Sequence, residues 1–153
     1  MANTYTQLHI HFVLGVKFRG ALIHPSFKDE LYQYITGIVK SYNHKLVCIN
    51  GMPDHIHILI GFRPTQSIAD LMKLVKNNSS KWINEKKFLK VRFEWQEGYG
   101  AFSYSKTDLK NIINYIQNQE KHHAKVTFKQ EFILLLEEYG LEYDINYLFN
   151  EPI

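Results

Sequence analysis

The chain contains little cysteine and no long apolar run. Its one cysteine, Cys48, excludes an internal disulfide framework and a zinc cluster built from several cysteines. No apolar segment approaches the roughly 18 residues that a membrane-spanning helix requires. The opening residues, MANTYTQLHIHF, do not form a basic stretch followed by an apolar one, so we expect no signal peptide. These absences predict a protein of the reducing cytoplasm with no membrane association.

A glycine-rich phosphate loop and internal repeats are also missing, and the excess of positive charge is small. The formal net charge of +3 is only a weak indication of a nucleic-acid partner. Apolar residues are plentiful, because 45% of the chain is hydrophobic and 14% is aromatic, which excludes intrinsic disorder. The 153 residues predict a single domain, with a core at about 5–125 and a C-terminal helix and tail at 127–153.

Hydrophobic periodicity predicts the order of the secondary-structure elements. Alternating residues predict strands at 5–16, 45–50, 54–61, 91–95 and 102–105. Helical spacing and capping signals predict helices that begin near Pro25, Ser67, Thr107 and Thr127, the third running to about Lys121. The order β-α-β-β-α-β-β-α-α with tight turns predicts an α+β fold in which helices pack on a mainly antiparallel central sheet.

Two histidines lie two residues apart in the most informative predicted strand. His55 and His57 would project from one face of that strand, while Ile56 and Ile58 would project into the core behind them. Two imidazoles side by side are half of a metal site, or a pair of phosphate-handling groups. A pair of partly exposed surface histidines is an equally ordinary interpretation of this pattern.

A tyrosine and a glutamine share one face of the third predicted helix. Tyr115 and Gln119 are four residues apart and lie off the apolar stripe of that helix. Tyrosine is a credible nucleophile toward phosphate when a metal ion polarises the phosphoryl oxygens, and Gln119 offers an oxygen ligand that would complete a neutral His-His-Gln site. In isolation, Tyr115 is as easily interpreted as an amphipathic edge residue.

With these two motifs the sequence resembles the single-tyrosine HUH transposases of bacterial insertion sequences, including the related palindrome-associated tyrosine transposases. HUH denotes His, a hydrophobic residue and His, here His55-Ile56-His57 within MPDHIHILI. The family's Tyr-x-x-x-Gln helix is matched by Tyr115 and Gln119, and its opening strand ending in Lys-aromatic-Arg is matched by HFVLGVKFR at 11–19. The match implies an HUH endonuclease-like fold, a relative of the ferredoxin-like fold.

The resemblance also implies an activity. Such an enzyme cuts and rejoins single-stranded DNA at insertion-sequence ends, with Tyr115 forming a 5′-phosphotyrosine link and leaving a free 3′-hydroxyl. Mg²⁺ or Mn²⁺ would be bound by His55, His57 and Gln119. Members of the family act as homodimers on DNA hairpins, in bacterial or archaeal cytoplasm. We expect the site to be shared between two subunits, because Tyr115 and Gln119 on one helix would move as a unit.

Basic and aromatic residues supply candidates for DNA contacts. A basic row on the second predicted helix and its surroundings is usually only a solvated face, but beside a DNA-cutting site it predicts contacts to the DNA backbone. The candidate contact residues are Lys17, Arg19, Lys73, Lys76, Lys81 and Arg92. Bases could stack on Tyr99, Phe102 or Tyr104.

Further histidines have no assigned role. His122 and His123, together with the HUH pair, suggest a four-histidine zinc site, but capping of a helix end or contact with DNA is the better interpretation. His11 shares a strand face with His9 and matches a family position, without a role that the sequence defines.

Other functions remain compatible with the sequence. A histidine-triad nucleotide hydrolase is disfavoured because the third position of its His-x-His-x-His strand is Leu59 here. A replication-initiator-type nickase is disfavoured because Gln119 stands where initiators often have lysine and no second tyrosine lies on the helix. A catalytically silent nucleic-acid-binding relative would carry the same residues.

Overall fold

The computed structural model describes residues 4–145 and Leu148. Its strands are β1 (His9–Gly15), β2 (Lys45–Met52), β3 (His55–Gly61) and β4 (Gly100–Tyr104). Its α-helices are α1 (Lys28–Ser41), α2 (Ile68–Lys86), α3 (Leu109–Gln117), α4 (Gln119–His123) and α5 (Phe128–Glu138). Within this part of the chain, no helix combines the length and the apolar character that crossing a membrane requires.

The four strands form one antiparallel sheet in the order β2-β3-β1-β4. Helix α1 connects β1 to β2, and α2 connects β3 to β4, which gives the β-α-β-β-α-β arrangement of ferredoxin-like folds. The two central strands, β1 and β3, pair so that Val13 lies opposite His57 and Gly15 lies opposite His55. The predicted α+β fold with an antiparallel central sheet is therefore confirmed.

The two faces of the sheet have different coverings because side chains alternate along each strand. One face carries apolar side chains from β1 and β3 that pack under α1 and α2: Ile10, Phe12, Leu14, Ile56, Ile58 and Ile60. The opposite face carries the histidines of β1 and β3, together with Val13 and Phe102, which pack against α5. The histidine face is therefore covered by the C-terminal helices.

Helix α5 approaches the sheet closely where Gly15 has no side chain. A Cβ atom at Gly15 would lie 2.9 Å from Cε2 of Phe128. In the space left by the glycine, the Phe128 ring stacks on the His55 ring with centroids 4.1 Å apart and planes 4° apart. The first turn of α5 is therefore positioned directly over the histidine end of β3.

The strand predicted at 91–95 is absent from the sheet. Trp95 forms only an isolated bridge with Val16, beyond the end of β1. Phe93 and Trp95 are both buried in the core, and the indole nitrogen of Trp95 donates a hydrogen bond to Ser79 Oγ at 2.9 Å. The alternation in the sequence therefore reflects two aromatic anchors in a segment that pairs with residues 15–17 only around Trp95, through Lys17 N–H to Glu94 O and Gln96 N–H to Gly15 O, and does not form a strand.

The helix predicted from Thr107 to about Lys121 is interrupted at Asn118, so Tyr115 and Gln119 lie on different helices. Asn118 has φ −101° and ψ 28°, outside the helical range. The side chain of Asn50, from β2, donates hydrogen bonds to the carbonyls of Ile116 and Gln117 at 3.0 and 3.2 Å. These bonds satisfy carbonyls at the end of α3, which stabilises the break.

The predicted starts of α2 and α5 are confirmed by their caps. The hydroxyl of Ser67 accepts a hydrogen bond from the backbone N–H of Asp70 at 3.0 Å, and Thr127 forms a reciprocal capping box with Gln130.

Two predicted boundaries differ from the structure. The first strand, predicted at 5–16, begins at His9, and the first helix begins at Lys28 rather than at Pro25.

Gly51 should be intolerant of any side chain. A Cβ atom there would lie 2.2 Å from the carbonyl oxygen of His55 and 2.7 Å from Cα of Ile56, both backbone atoms of β3. We expect Gly51→Ala to lower the free energy of unfolding by about 1–3 kcal/mol, measured by urea denaturation. Gly37→Ala, in α1 with open space around the new methyl, is the control and should raise stability by up to about 1 kcal/mol. Equal stability of Gly51→Ala and wild type would contradict this packing.

Candidate active site

His55 and His57 project from one face of β3, as the strand period predicts, but neither is exposed to solvent. Both side chains are 0% exposed, which excludes the alternative interpretation as a pair of partly exposed surface histidines. Removing either imidazole will therefore affect packing as well as chemistry.

Each of these two imidazoles is anchored through Nδ1. His55 Nδ1 lies 2.7 Å from Oδ1 of Asp54, and His57 Nδ1 lies 2.7 Å from Nε2 of His11. An outer partner on one ring nitrogen fixes the orientation of the ring and leaves the other nitrogen to act as a ligand. Asp54 and His11 therefore hold the two Nε2 atoms toward a common point, which gives His11 a role that the sequence did not define.

The anchors also set the protonation of the imidazoles. Burial alone would lower the pKa of His55, but the hydrogen bond with Asp54 and the contact with Glu131 outweigh it and raise the pKa to about 9. Burial lowers the pKa of His57 despite the same carboxylate. Burial, followed by the proximity of His57, holds the pKa of His11 well below its ordinary value of 6.5, so this outer partner is neutral.

Gln119 and Tyr115 both lie at the histidine pair of their own chain. Gln119 is fully buried, and its Oε1 accepts a hydrogen bond from His55 Nε2 at 3.0 Å. The Tyr115 ring lies edge-on to the His57 ring with centroids 5.7 Å apart. One chain therefore assembles all four predicted residues. Within this one chain the arrangement is in cis, so sharing between two subunits is not required to bring the four residues together. The expected single helix is replaced by two helices, α3 and α4.

A buried carboxylate that the sequence analysis missed lies at the centre of the site. Oε1 of Glu131, on α5, is 2.9 Å from His57 Nε2 and 3.3 Å from His55 Nε2. Its Oε2 accepts hydrogen bonds from the Tyr115 hydroxyl and, at 3.2 Å, from Gln119 Nε2. Glu131 is 2% exposed, so the site is not the wholly neutral His-His-Gln set that the sequence predicts.

The charge of this carboxylate changes the acidity of its neighbours. Burial alone would raise the pKa of Glu131, but contacts with His123, His55 and His57 outweigh it and hold the pKa far below its ordinary value of 4.5. Burial and then the charge of Glu131 raise the pKa of Tyr115 well above its ordinary value of 10.0, so its hydroxyl is protonated.

His122 and His123 lie in the last turn of α4 and are directed at Glu131. Their Nε2 atoms lie 3.2 Å from Oε2 and 3.2 Å from Oε1 of that carboxylate, respectively. Both imidazoles lie at the end of a helix, as the sequence predicts. Their contact with the central carboxylate is an addition that the sequence analysis did not predict.

The cluster has the dimensions of a site for a single metal ion. Ligand atoms from His55, His57, His123 and Glu131 all lie within 4.8 Å of one another. Bonds of about 2.0–2.2 Å place opposite ligands a little more than 4 Å apart, so these atoms can surround one divalent cation. A buried nitrogen without a hydrogen-bond partner, Nε2 of His123, also fits such an ion.

The predicted DNA-contact residues fall into separate groups. Lys17 and Arg92 both pair with Glu94, at 3.3 and 3.6 Å, and Lys81 lines the same hollow as Arg92. Lys73 and Lys76 line a second hollow, beside Gly98 and Tyr99. Because α2 covers the face opposite the histidines, the structure does not bring the lysines of this helix to the cluster.

Two of the basic residues lie nearer the site. Lys17 and Arg19 form a short 3-10 turn just after β1, at the end of the sheet where Gly15 pairs with His55. Among the predicted stacking platforms, Phe102 is 3% exposed and packs in the core, so it is unavailable to bases, whereas Tyr99 is exposed. Tyr104 is partly buried against the histidine face, with its ring centroid 6.0 Å from that of His11.

The chain is similar to known transposases. The family model described as IS200-like transposase matches residues 4–119. The ISDra2 transposase TnpA of Deinococcus radiodurans is 26% identical over 118 residues, covering 74% of this chain and 84% of that protein.

Two solved structures share the fold. One is the crystal structure of a Deinococcus radiodurans R1 protein named as a transposase, with a TM-score of 0.64 and 25% identity, covering 78% of this chain and 95% of that one. The other is a REP-associated tyrosine transposase bound to a REP hairpin, with a TM-score of 0.62 and 14% identity, covering 82% of this chain and 74% of that one. The chain belongs to the IS200-like transposase family, which confirms the resemblance that its motifs indicate.

The pairing of Asp54 with His55 predicts a titration that can be measured. In metal-free protein we expect the His55 imidazole to titrate near pH 9 by NMR, and Asp54→Asn to lower that pKa. Since the folded pKa exceeds the ordinary value of 6.5, this protonation stabilises the fold below about pH 6.5, and the stabilisation is lost as pH rises toward 9. Asp29→Asn, on α1, is the control and should leave the titration in place. A His55 pKa near 6.5 in wild type would refute the arrangement.

Proposed function

We propose that this transposase cuts and rejoins single-stranded DNA at insertion-sequence ends through a 5′-phosphotyrosine intermediate on Tyr115. The observation that carries the proposal is the position of Tyr115, whose ring lies against His57 and whose hydroxyl lies against the carboxylate at the centre of a metal-sized cluster. A nucleophile that acts on phosphate needs this combination of a cation site and a positioned hydroxyl.

His55, His57 and Gln119 would hold the ion, which we propose to be Mg²⁺ or Mn²⁺. When bound, the ion polarises the phosphoryl oxygens and stabilises the negative charge that develops on them. Asp54 and His11 orient the two imidazoles from behind, and the burial of Gln119 fixes its amide beside His55.

Tyr115 supplies the covalent chemistry. Its oxygen attacks the phosphorus, a new O–P bond forms, and the bond to the 3′-oxygen breaks, leaving a 3′-hydroxyl on the departing strand. The raised pKa of Tyr115 keeps its hydroxyl protonated until the attack, so the proton leaves as the O–P bond forms, and the departing 3′-oxygen takes up a proton in exchange. Rejoining reverses these steps with another 3′-hydroxyl. Each step exchanges one phosphodiester for another, so water is not consumed.

Hairpin DNA and a second copy of the chain are the proposed partners, with the reaction in the cytoplasm, where the element's DNA is found. The REP-associated relative was solved with a REP hairpin, although its likeness to this chain extends to the fold alone. We propose Lys17, Arg19, Lys73, Lys76, Lys81 and Arg92 as contacts to the DNA backbone. Of these, Lys17 and Arg19 stand closest to the histidine end of the sheet.

Tyr115→Phe should abolish the covalent protein–DNA adduct while binding hairpin DNA as wild type does, because only the attacking oxygen is removed. The measurement is an adduct on a denaturing gel with labelled single-stranded DNA from the element's end. Tyr104→Phe is the matched control, since this second tyrosine lies on the same sheet face near His11. An adduct that persists in Tyr115→Phe and disappears in Tyr104→Phe would assign the attack to Tyr104. No adduct with wild-type protein would favour a silent binding relative.

The cis arrangement makes a second prediction about mixed subunits. His57→Ala and Tyr115→Phe should each lose cleavage, as should wild type in excess EDTA. Because one chain holds both halves of the site, heterodimers of the two variants should remain inactive. Heterodimers of wild type with Tyr115→Phe are the control and should keep about half of the activity. Cleavage restored in the first mixture would show that α3 docks on the neighbouring subunit, and failure to isolate heterodimers by paired affinity tags would contradict the homodimer.

A further inference from the structure

The two oxygens of Glu131 face two different groups of side chains. Oε1 lies among imidazole nitrogens, at 2.9 Å from His57, 3.3 Å from His55 and 3.2 Å from His123. Oε2 faces the Tyr115 hydroxyl and the side-chain nitrogens of Gln119 and His122. The carboxylate therefore bridges the histidine cluster and the nucleophile.

The His123 ring is held so that its Nε2 faces the buried carboxylate. Its Nδ1 lies 2.5 Å from the carbonyl oxygen of Val126, and a carbonyl only accepts, so Nδ1 donates there. Nε2 lies 3.2 Å from Oε1 of Glu131 and makes no hydrogen bond, although it is buried and the side chain is only 6% exposed. A buried imidazole nitrogen and a buried carboxylate oxygen at this distance need a proton or a metal cation between them. Because Nε2 of His55 and His57 face the same oxygen, a single metal ion satisfies all three nitrogens at once.

We propose that Glu131 and His123 are ligands of the metal ion, so that this chain binds it with three imidazoles and a carboxylate. Nε2 of His123 and Oε1 of Glu131 would join Nε2 of His55 and His57, and the ligand atoms of these four groups lie within 4.8 Å of one another. Oε1 of Gln119, 3.0 Å from Nε2 of His55, would remain the fifth ligand. This proposal rests on the proposed function only in assigning the ion to DNA cleavage. Both added ligands lie beyond residue 119, where the match to the family model ends.

The composition of this ligand set determines which ion it prefers. Mg²⁺ favours oxygen ligands and retains several waters, whereas imidazole nitrogens bind divalent transition metals more readily. Three imidazoles should therefore make Mg²⁺ the weaker of the two proposed ions and Mn²⁺ the stronger, while the carboxylate supplies the oxygen ligand that both accept. The carboxylate also brings a negative charge to the ion, which a His-His-Gln site would not.

The test measures binding of Mn²⁺ alone, with no DNA present. Calorimetry gives the affinity, and pulsed electron paramagnetic resonance of bound Mn²⁺ counts the coordinated imidazoles through their nitrogen couplings. In wild-type protein we expect three imidazoles, and in His123→Ala we expect two. A count of two in wild type would overturn the proposal, and this measurement does not depend on any variant remaining folded.

Glu131→Gln is the second arm, with Glu138→Gln as its matched control on the exposed side of α5. We expect Glu131→Gln to weaken Mn²⁺ binding at least about tenfold and Glu138→Gln to leave it unchanged. Circular dichroism establishes that both variants are folded. Unchanged Mn²⁺ affinity in folded Glu131→Gln, combined with tighter binding of single-stranded DNA, would show that the carboxylate occupies the place of a phosphate instead, and would overturn the proposal.

The two proposals fail separately. If wild type forms no adduct with DNA but Glu131→Gln loses Mn²⁺, the metal site stands and the cleavage chemistry falls. If wild type forms the adduct but Glu131→Gln and His123→Ala both bind Mn²⁺ as tightly as wild type, the cleavage chemistry stands. The enlarged ligand set is then refuted.

Discussion

A carboxylate buried among imidazoles is the interaction on which the rest of the site depends. Placing an ionised carboxylate in the interior costs several kcal/mol unless charges and hydrogen bonds compensate it. Glu131 meets that condition through partners on β3, α3 and α4. β3 lies far from α5 in the chain, with His57 74 residues before Glu131, whereas α3 and α4 directly precede it. Satisfying one side chain therefore fixes the positions of three structural elements relative to α5. The helices over the histidine face are therefore held by polar contacts as much as by the small apolar cluster beneath α5.

Local sequence patterns predicted most of the fold. The two errors, the strand at 91–95 and the unbroken helix through Asn118, both concern contacts that such patterns do not report. Periodicity located the four strands of the sheet and the helices that cover it, because each buries one face continuously. The false strand at 91–95 arose because Phe93 and Trp95 alternate as they insert into the core, although the segment pairs with the chain beyond β1 only through a single bridge at Trp95. The break at Asn118 depends on Asn50, which lies 66 residues before Ile116 and reaches across from β2. Periodicity does not report contacts of that kind.

The residues of the site also fall into those that local sequence patterns predicted and those whose position depends on contacts between elements. His55 and His57 followed from the period of a strand, and their association with Tyr115 and Gln119 came from the resemblance to a family. Glu131 was missed, although one signal was available: it shares the buried stripe of α5 with Phe128 and Leu135, and an acid on an apolar stripe is unusual unless it has a partner. His123 gave no comparable signal, since paired histidines near a helix end are ordinary. Its role depends on the turn at Val126, which directs the ring into the site.

The absence of a side chain at Gly15 has a consequence for how this enzyme can vary. The glycine belongs to β1 and touches none of the reacting groups, yet its missing methyl is the space in which Phe128 reaches His55. A larger residue there would press on the first turn of α5, one turn before Glu131. Because a helix moves as a rigid unit, this displacement would also shift the carboxylate of Glu131. A substitution in the sheet would therefore disturb the histidine cluster without contacting it. Position 15 is therefore constrained by chemistry that occurs elsewhere in the molecule.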